Sequence, residues 1–339
     1  MKKKKILIIR IDFLGDMICT TPLIHTIKKT FPNAEIHVLA NKYNAPVLDR
    51  NPDISFVHTY VYSKNRERNV HPGILNSLIN RIALILRLRK MQFDIGIIPN
   101  GGLNKNSIQF IRQLNIPDCR WHTKESEFDD RDPNHVTHRP IKHEILSGFD
   151  LIPEVKTPKL NTLKPYVYPD PILRGEWMKN IGQGNKPKIG LFISNKSANR
   201  KLDIKKWADL VRLIGNKSDF FIFHDQNEEI KEQYFTDLSV HYLKTEHVQD
   251  MIAATSCMDI IVSADSAPVH LSSALQIPVV SLFENRPEKY LRWHPINVEN
   301  ILLKEGSIVN DIDVRKICDA VNFLLKKCYS PYLSGDNYS

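Results

Sequence analysis

The stretch "KKILIIRIDFLGDMICTTPLIHTIKKTFPNAEIHVLAN" (residues 4–41) has an apolar, β-branched run at its start and a strand-like run at its end. Between them Leu23, Ile24 and Ile27 recur at helical spacing, which predicts an amphipathic helix. A strand, a helix and a second strand in this order form a βαβ unit, which crosses over right-handed and builds a parallel sheet. The stretch therefore predicts an α/β fold.

The same kind of pattern recurs along the chain. "SLINRIALILRLRKM" predicts a basic amphipathic helix, and "FDIGIIPN" predicts a buried strand after it. In the second half we predict four more strands and, between them, the helices "DIKKWADLVRLI" and "APVHLSSAL"; the strand stretches are "KPKIGLFIS", "SDFFIFHD", "MDIIVSAD" and "IPVVSLFE". The pattern predicts two doubly wound, Rossmann-like domains that face each other across a cleft.

A stretch with Pro165, Pro169 and Pro171 separates the two halves and breaks the periodicity. We interpret it as an interdomain linker. The predicted organisation is a first domain at 1–165, a linker at 166–186, a second domain at 187–320, and a tail at 321–339 that packs back on the first domain.

The composition is that of a globular protein, with 42% apolar and 25% charged residues. No apolar run is long enough for a membrane span, and the basic start of the chain lacks the pattern of a signal peptide. The five cysteines are scattered without a CxxC pair, so we expect reduced thiols and no disulfide framework. We expect a cytoplasmic protein.

The net charge of +9 is concentrated in the first half, where residues 1–165 hold 26 Lys and Arg against 16 Asp and Glu. This asymmetry points either to an anionic partner, such as nucleic acid, an anionic lipid surface or a phosphorylated acceptor, or to a solubilising surface. The helix at 76–91 could lie on an anionic membrane or be an ordinary packed helix with a charged face. No known nucleic-acid-binding motif is present, so we expect no nucleic-acid partner.

The first candidate motif is the Gly-Asp pair at the end of the first predicted strand. Gly15 would permit a tight or positive-φ turn into the helix, which would place Asp16 near the helix N-terminus. A carboxylate there can cap the helix, or it can act as a general base if it is ionised and exposed. A dinucleotide-binding fingerprint needs further glycines, so NAD binding is disfavoured.

The second candidate motif is "ADSAPVH", where a strand delivers Asp265 and Ser266 directly to the start of a helix. Backbone amides at a helix N-terminus favour phosphate or diphosphate, and His270 could donate to such a group or be structural. A third motif, "SNKSANRKLDIKKW", places the cations of Lys196, Arg200 and Lys201 in a loop after another strand. These cations suit a diphosphate, although such runs are often only solvated.

A histidine-rich stretch offers a metal-binding alternative. His135, His138, His143 and Glu144 occur within "NHVTHRPIKHE". Their spacing fits no familiar zinc pattern. We therefore expect no metal site.

Four segments together resemble glycosyltransferase family 9, the heptosyltransferases: residues 6–41, 139–152, 199–210 and 259–283. The resemblance implies the two-domain GT-B fold and an inverting, metal-independent transfer of a heptose or related sugar. The implied donor is a nucleotide sugar, ADP-heptose above all, and the implied acceptor is the lipopolysaccharide core. It also implies work at the inner face of the inner membrane and no cofactor besides the donor substrate.

The resemblance also implies roles for individual residues. Asp16 matches the aspartate that deprotonates the acceptor hydroxyl. The residues expected to bind the donor are Lys201, Arg200, Glu228, Asp265, Ser266, Ala267 and His270. Those expected to bind the acceptor are Arg10, Gly15 and Thr20. The chain departs from the family pattern at Ala267 and Glu284, where glycine is usual.

Three alternatives remain open at the level of the sequence. The chain could be a transferase of the same fold with a different nucleotide sugar, or an inactive relative that only binds one. A nucleic-acid-binding protein that uses the basic first half is the most distant alternative. Assays with ADP- and UDP-sugars and salt-dependent DNA binding distinguish these classes.

Overall fold

The protein is described by a computed structural model, and contacts between Cα atoms divide it into a first unit, Met1–Tyr168, and a second unit, Pro169–Ser339. The residues described are 3–61, 74–102, 104–122, 141–182, 184–224 and 232–333.

The first unit is built on a parallel sheet with helices packed on it. Its strands are β1 (Lys5–Arg10), β2 (Glu35–Asn41), β3 (Phe56–Tyr60), β4 (Ile95–Ile98) and β5 (Asp118–Trp121), and its α-helices are α1 (Leu14–Thr30), α2 (Ile74–Lys90) and α3 (Lys105–Gln113). The strand order is β3-β2-β1-β4-β5, and every neighbouring pair is parallel. The βαβ prediction for residues 4–41 is confirmed, with Lys5 paired to Glu35 and Arg10 paired to Ala40. From β1 the strand order runs outward in one direction to β3, and from β4 it runs in the other direction to β5. Open α/β sheets bind ligands at the carboxyl ends of the two strands where the order changes in this way.

The sequence Thr20-Thr21-Pro22 lies inside α1. Pro22 has no N–H to donate to the carbonyl of Ile18, and the Thr21 hydroxyl donates to that carbonyl at 2.7 Å. The Thr20 hydroxyl donates to the Asp16 carbonyl at 2.8 Å. The Thr21 hydroxyl therefore takes the place of the N–H that Pro22 lacks, and both hydroxyls satisfy backbone oxygens in the turn before the proline.

The turn predicted at Gly15 is wrong. The helix α1 begins at Leu14, so Gly15 is its second residue, and it is not among the glycines with positive φ. Phe13 is the N-cap residue and has extended backbone angles (φ −92°, ψ 167°), so the chain turns from strand to helix without a left-handed residue. Asp16 is consequently held on the first helical turn.

The second unit repeats the architecture. Its strands are β6 (Lys188–Phe192), β7 (Asp219–Phe223), β8 (Val240–Leu243), β9 (Ile260–Ala264), β10 (Val279–Phe283) and β11 (Asn300–Lys304), and its α-helices are α4 (Pro171–Ile181), α5 (Ile204–Ile214), α6 (Val248–Thr255), α7 (Ala267–Leu275), α8 (Pro287–Trp293) and α9 (Val314–Leu333). The strand order is β11-β10-β9-β6-β7-β8, again parallel throughout. From β6 the strand order runs outward in one direction to β8, and from β9 it runs in the other direction to β11. The strands and helices predicted in this half are present, and α5 buries Trp207, Leu210, Val211 and Ile214 as its periodicity indicates.

Two segments differ from their predicted roles. The stretch 166–186, expected to be a linker, contains α4, which packs on α6 within the second unit. Pro171 marks a helix start, because it occupies the first helical position and the Asp170 side chain accepts from the amides of Ile172 and Leu173. The expected tail at 321–339 begins inside α9, which packs on α5 of the same unit.

Among the residues that the structure describes, no helix combines the length and the apolar character needed to cross a bilayer.

Candidate active site

A buried arginine in the first unit is surrounded by three carboxylates. Arg10, the last residue of β1, is only 2% exposed. Its Nε donates to Asp12 at 2.8 Å, and its Nη2 lies 3.0 Å from Asp16 and 2.8 Å from Glu144. When all four side chains are ionised, the cluster carries two more negative than positive charges. A buried cluster of this kind is typical of functional sites.

Burial and the neighbouring charges shift the pKa values in this cluster. Burial raises the pKa of Asp16 well above its ordinary value, the charges of Asp12 and Glu144 raise it further, and Arg10 opposes them. Burial also raises the pKa of Asp12. Although burial alone would lower the pKa of Arg10, the three carboxylates raise it well above its ordinary value. A carboxylate whose pKa is raised toward neutrality is suited to general-base chemistry.

The geometry of Asp16 fits both roles considered for it from the sequence. As the third residue of α1 it accepts a hydrogen bond from the backbone of Phe13, as a helix-capping carboxylate does. It also keeps 14% of its side chain exposed, close to the 16% of Asp12, whereas Glu144 keeps 4%. Asp16 and Asp12 are therefore the carboxylates of the cluster that a substrate can reach.

Three neutral amides hold the loop that carries these groups. The Asn41 side chain donates to the carbonyls of Ile11 and Asp12, and the Asn44 side chain lies within 3.5 Å of three carbonyls of residues 10–13. Asn100 lies just beyond the end of β4, the strand next to β1. Its side-chain amide donates to the Asp12 carboxylate at 2.5 Å. The loop is thereby fixed from both neighbouring strands.

The residues expected to bind the acceptor have other partners. Arg10 is buried under its three carboxylates, and Thr20 is buried with its hydroxyl on the Asp16 carbonyl. Gly15 offers only backbone on the first turn of α1. Burial leaves Arg10 and Thr20 little surface to offer an acceptor, and both contact Asp16, so their acceptor role stays a prediction. The side chain that does project outward beside Asp16 is Phe13, which is 77% exposed.

The second candidate site lies at the carboxyl ends of β6 and β9 in the second unit. Asp265 follows β9 and is nearly buried, and burial raises its pKa while Arg200 and Lys289 oppose that rise. Arg200 donates to the Asp265 carbonyl at 3.2 Å and lies 3.3 Å from its carboxylate. The Asn195 amide donates to the same carbonyl at 3.2 Å. As in the first unit, an asparagine side chain links the loops that follow two neighbouring strands, here β6 and β9.

The start of α7 offers few amides for an anion. Its second residue is Pro268, which has no N–H, and the Val269 N–H is bonded to the Ser266 carbonyl at 3.1 Å. The Ser266 hydroxyl donates to the Ala264 carbonyl at 2.9 Å. Ala267 occupies the first helical position, and His270, one turn along, is buried. An anion at this site would therefore depend strongly on cationic side chains.

Cations come to this site from the loop after β6 and from helix α8, and the sequence interpretation identified only those of the loop. Arg200 and the exposed Lys201 follow β6. Lys289, on α8 after β10, acts electrostatically on Asp265 and was missed. Its signal in the sequence was weak, because it stands among acidic residues in "FENRPEKY".

Glu284, at the end of β10, is buried, and its carboxylate lies 3.7 Å from Arg286. It therefore places a carboxylate in the same loop cluster. Glu228, the remaining expected donor contact, lies outside the described residues.

Among the described residues, no group of three or more His, Cys, Asp or Glu side chains is arranged to hold a metal ion. Of the histidine-rich stretch, His135 and His138 lie outside those residues. His143 accepts from the Ile145 amide, and Glu144 belongs to the Arg10 cluster.

A comparison with protein families decides the identity of the chain. Residues 81–320 match the model for glycosyltransferase family 9 (heptosyltransferase). The chain belongs to glycosyltransferase family 9. It is a glycosyltransferase, as the resemblance in the sequence predicted.

Similar proteins in family 9 agree with this assignment. The chain is 23% identical over 326 residues to lipooligosaccharide heptosyltransferase 2 of Haemophilus influenzae, covering 90% of each chain. It is 15% identical to a family 9 glycosyltransferase of Veillonella parvula, whose crystal structure gives a TM-score of 0.75 with 96% of this chain and 97% of that chain covered. For Escherichia coli heptosyltransferase WaaC, solved with ADP, the identity is 14% and the TM-score 0.73, with 94% of this chain and 99% of that chain covered. The family 9 chain therefore has the GT-B fold, with two parallel α/β sheets.

Proposed function

We propose that this family 9 enzyme transfers a heptose or a related sugar from a nucleotide diphosphate donor, ADP-heptose in the first instance, to a hydroxyl of the lipopolysaccharide core. The proposed reaction inverts the anomeric carbon and needs no metal. The names of two relatives support the substrates: one is a lipooligosaccharide heptosyltransferase, and another was solved with ADP.

The observation that carries the proposal is the position of Asp16. Its carboxylate is partly exposed, its pKa is raised, and it lies on the first turn of α1, whose N-cap residue Phe13 is exposed. We assign it the role of general base. It takes the proton of the acceptor hydroxyl as that oxygen forms a bond to the anomeric carbon, and the bond from that carbon to the diphosphate breaks.

The second unit supplies the binding groups for the donor. The departing diphosphate gains negative charge as the bond breaks, and Arg200, Lys201 and Lys289 provide positive charge to stabilise it. Asp265 accepts hydrogen bonds from donor hydroxyls. Arg200 is 35% exposed, so part of its side chain is accessible to a phosphate while it contacts Asp265.

A different nucleotide sugar is a second candidate donor, and Glu284 favours considering it. This buried carboxylate replaces the glycine that the family resemblance leads us to expect, and a carboxylate near the donor selects for sugars or bases that can donate hydrogen bonds to it. The preferred donor is the nucleotide sugar that binds more tightly next to Glu284.

A ligand screen combined with a transfer assay tests the proposal. We expect ADP and ADP-heptose to raise the melting temperature, because a ligand that binds only the folded state stabilises it. We also expect sugar transfer to a lipopolysaccharide core that lacks the terminal heptose. Stabilisation by a UDP-sugar alone would establish the second candidate donor, and binding without transfer to any core would contradict the enzymatic proposal.

A further inference from the structure

Among the residues that the structure describes, the helices α2 and α3 of the first unit carry cations and apolar side chains but no carboxylates. The helices α2 and α3 lie side by side, because Arg81 and Arg89 of α2 both donate to Gln113 at the end of α3. Both helices pack on the same core cluster, so they cover the same side of the sheet. We call their outward surface the α2–α3 face.

The charge on this face is of one sign. The two helices contain six basic residues and no Asp or Glu; the basic residues are Arg81, Arg87, Arg89, Lys90, Lys105 and Arg112. Arg81 stacks on Phe110 and serves to join the helices, whereas Arg87, Lys90, Lys105 and Arg112 are exposed. Lys105 and Arg112 also line a shallow groove along α3.

An apolar ridge runs along α2 beside these cations. It consists of the exposed side chains Leu75, Leu78, Ile79, Ile82 and Leu86. They recur at helical spacing, on the side of α2 away from Leu84 and Leu88, which pack into the core. A contiguous exposed ridge of large aliphatic side chains marks an interaction surface.

The chemistry of the face distinguishes between occupants. A second copy of the same face would bring like charges together, which disfavours self-association. Nucleic acid would match the cations but leave the ridge unused, because single-stranded nucleic acid stacks on aromatic rings and the ridge holds only Leu and Ile. A bilayer with anionic headgroups matches both features, since the aliphatic side chains enter the interface and the cations meet lipid phosphates.

We propose that the α2–α3 face is a docking surface for an anionic phospholipid bilayer. Ile79 and its neighbours on the ridge insert at the headgroup boundary, and Arg87, Lys90, Lys105 and Arg112 pair with lipid phosphates. The proposal does not depend on the proposed sugar transfer, because docking is measured without donor or acceptor.

Sedimentation of the full chain with vesicles tests the docking surface. We expect binding to vesicles of phosphatidylcholine with phosphatidylglycerol, much weaker binding to phosphatidylcholine alone, and weakening by added salt. The double variant R87E/K90E should lower the partition coefficient about thirtyfold or more. The double variant I79Q/L86Q should lower it by at least about tenfold, because two inserted apolar side chains are lost.

Matched variants on the second unit serve as controls. K217E/K326E changes the net charge by the same amount, and L213Q/F323Q removes two exposed apolar side chains. Both should bind vesicles like the unaltered protein. Vesicle binding that survives both α2 double variants, or an equal loss in the controls, would overturn the proposal. So would a dimer in light scattering that the I79Q/L86Q variant dissociates, because the ridge would then be a self-association interface.

Discussion

Arg10 and Glu144 are 134 positions apart in the sequence, and their side chains lie 2.8 Å apart in the fold. The Arg10 nitrogen that contacts Glu144 is also the one that contacts Asp16. One guanidinium nitrogen therefore shares its positive charge between the proposed base and a second, more deeply buried carboxylate.

We expect Asp16→Asn to reduce kcat by about 100- to 10,000-fold, the range that a general base contributes. Donor affinity should stay near that of the unaltered enzyme, because the donor groups belong to the other unit. Steady-state transfer kinetics and calorimetry with ADP measure the two effects. Asp319→Asn, at an exposed position on α9, is the matched control. Turnover close to that of the unaltered enzyme in Asp16→Asn would rule out the assignment.

The same variant should be at least as stable as the unaltered enzyme at neutral pH. A carboxyl whose pKa is raised on folding stabilises the protein below its unfolded pKa, and that contribution is lost as the pH rises through the folded value. Ionised Asp16 therefore destabilises the fold at neutral pH, and asparagine removes that charge. Thermal unfolding across a pH series measures this, and a marked fall in melting temperature at neutral pH would contradict it.

Glu144→Gln should move the acid limb of the kcat profile to lower pH. The negative charge of Glu144 helps to raise the pKa of Asp16, so its removal lowers the pH at which Asp16 becomes ionised and active. Glutamine can still accept from Arg10, which keeps the cluster packed. A purely structural role for Glu144 predicts a lower kcat with an unshifted pH profile. Glu154→Gln, on the surface of the same unit, should leave the profile unchanged.

Arg200→Ala and Lys289→Ala should each raise the Kd for ADP about tenfold or more, with little change in acceptor KM. Each removes a cation from a site that has few amides for an anion. Arg212→Ala, which removes an exposed arginine on the outer side of α5, is the control. Calorimetry with ADP distinguishes the variants, and an unchanged affinity in both would place the diphosphate elsewhere.

Phe13→Ala should raise the acceptor KM several-fold while leaving donor affinity intact. An exposed aromatic ring next to the base offers an apolar face for a sugar ring, and no core packing is lost with it. Phe323→Ala, at another exposed phenylalanine on α9, controls for general surface effects. An acceptor KM equal to that of the unaltered enzyme would remove Phe13 from the acceptor site.

The buried strands could be predicted from sequence because both faces of a parallel sheet are covered, which produces uninterrupted apolar runs such as β1 and β9. The strands that we did not predict, β3, β5, β8 and β11, are the edge strands of the two sheets and are only partly buried. Their composition therefore lacks a continuous apolar run.

The candidate site was predictable only where its groups are close in the sequence. Asp16 lies on the first turn of the helix that follows β1, and Asp265 lies between the end of β9 and the start of α7, local patterns that a sequence displays. Glu144 joins the site through a tertiary contact, and it was instead considered with nearby histidines as a metal ligand. The acceptor role of Arg10 and Thr20 follows from the family resemblance, and the burial of both side chains is a tertiary property that the sequence does not display.

The asparagine side chains that hold residues 10–13 do not ionise. Protonation of Asp16 can therefore change during each turnover, and with the acidity of the medium, without altering the hydrogen bonds from Asn41 and Asn44 that fix this loop. The backbone conformation of residues 10–13 therefore does not depend on whether Asp16 is protonated.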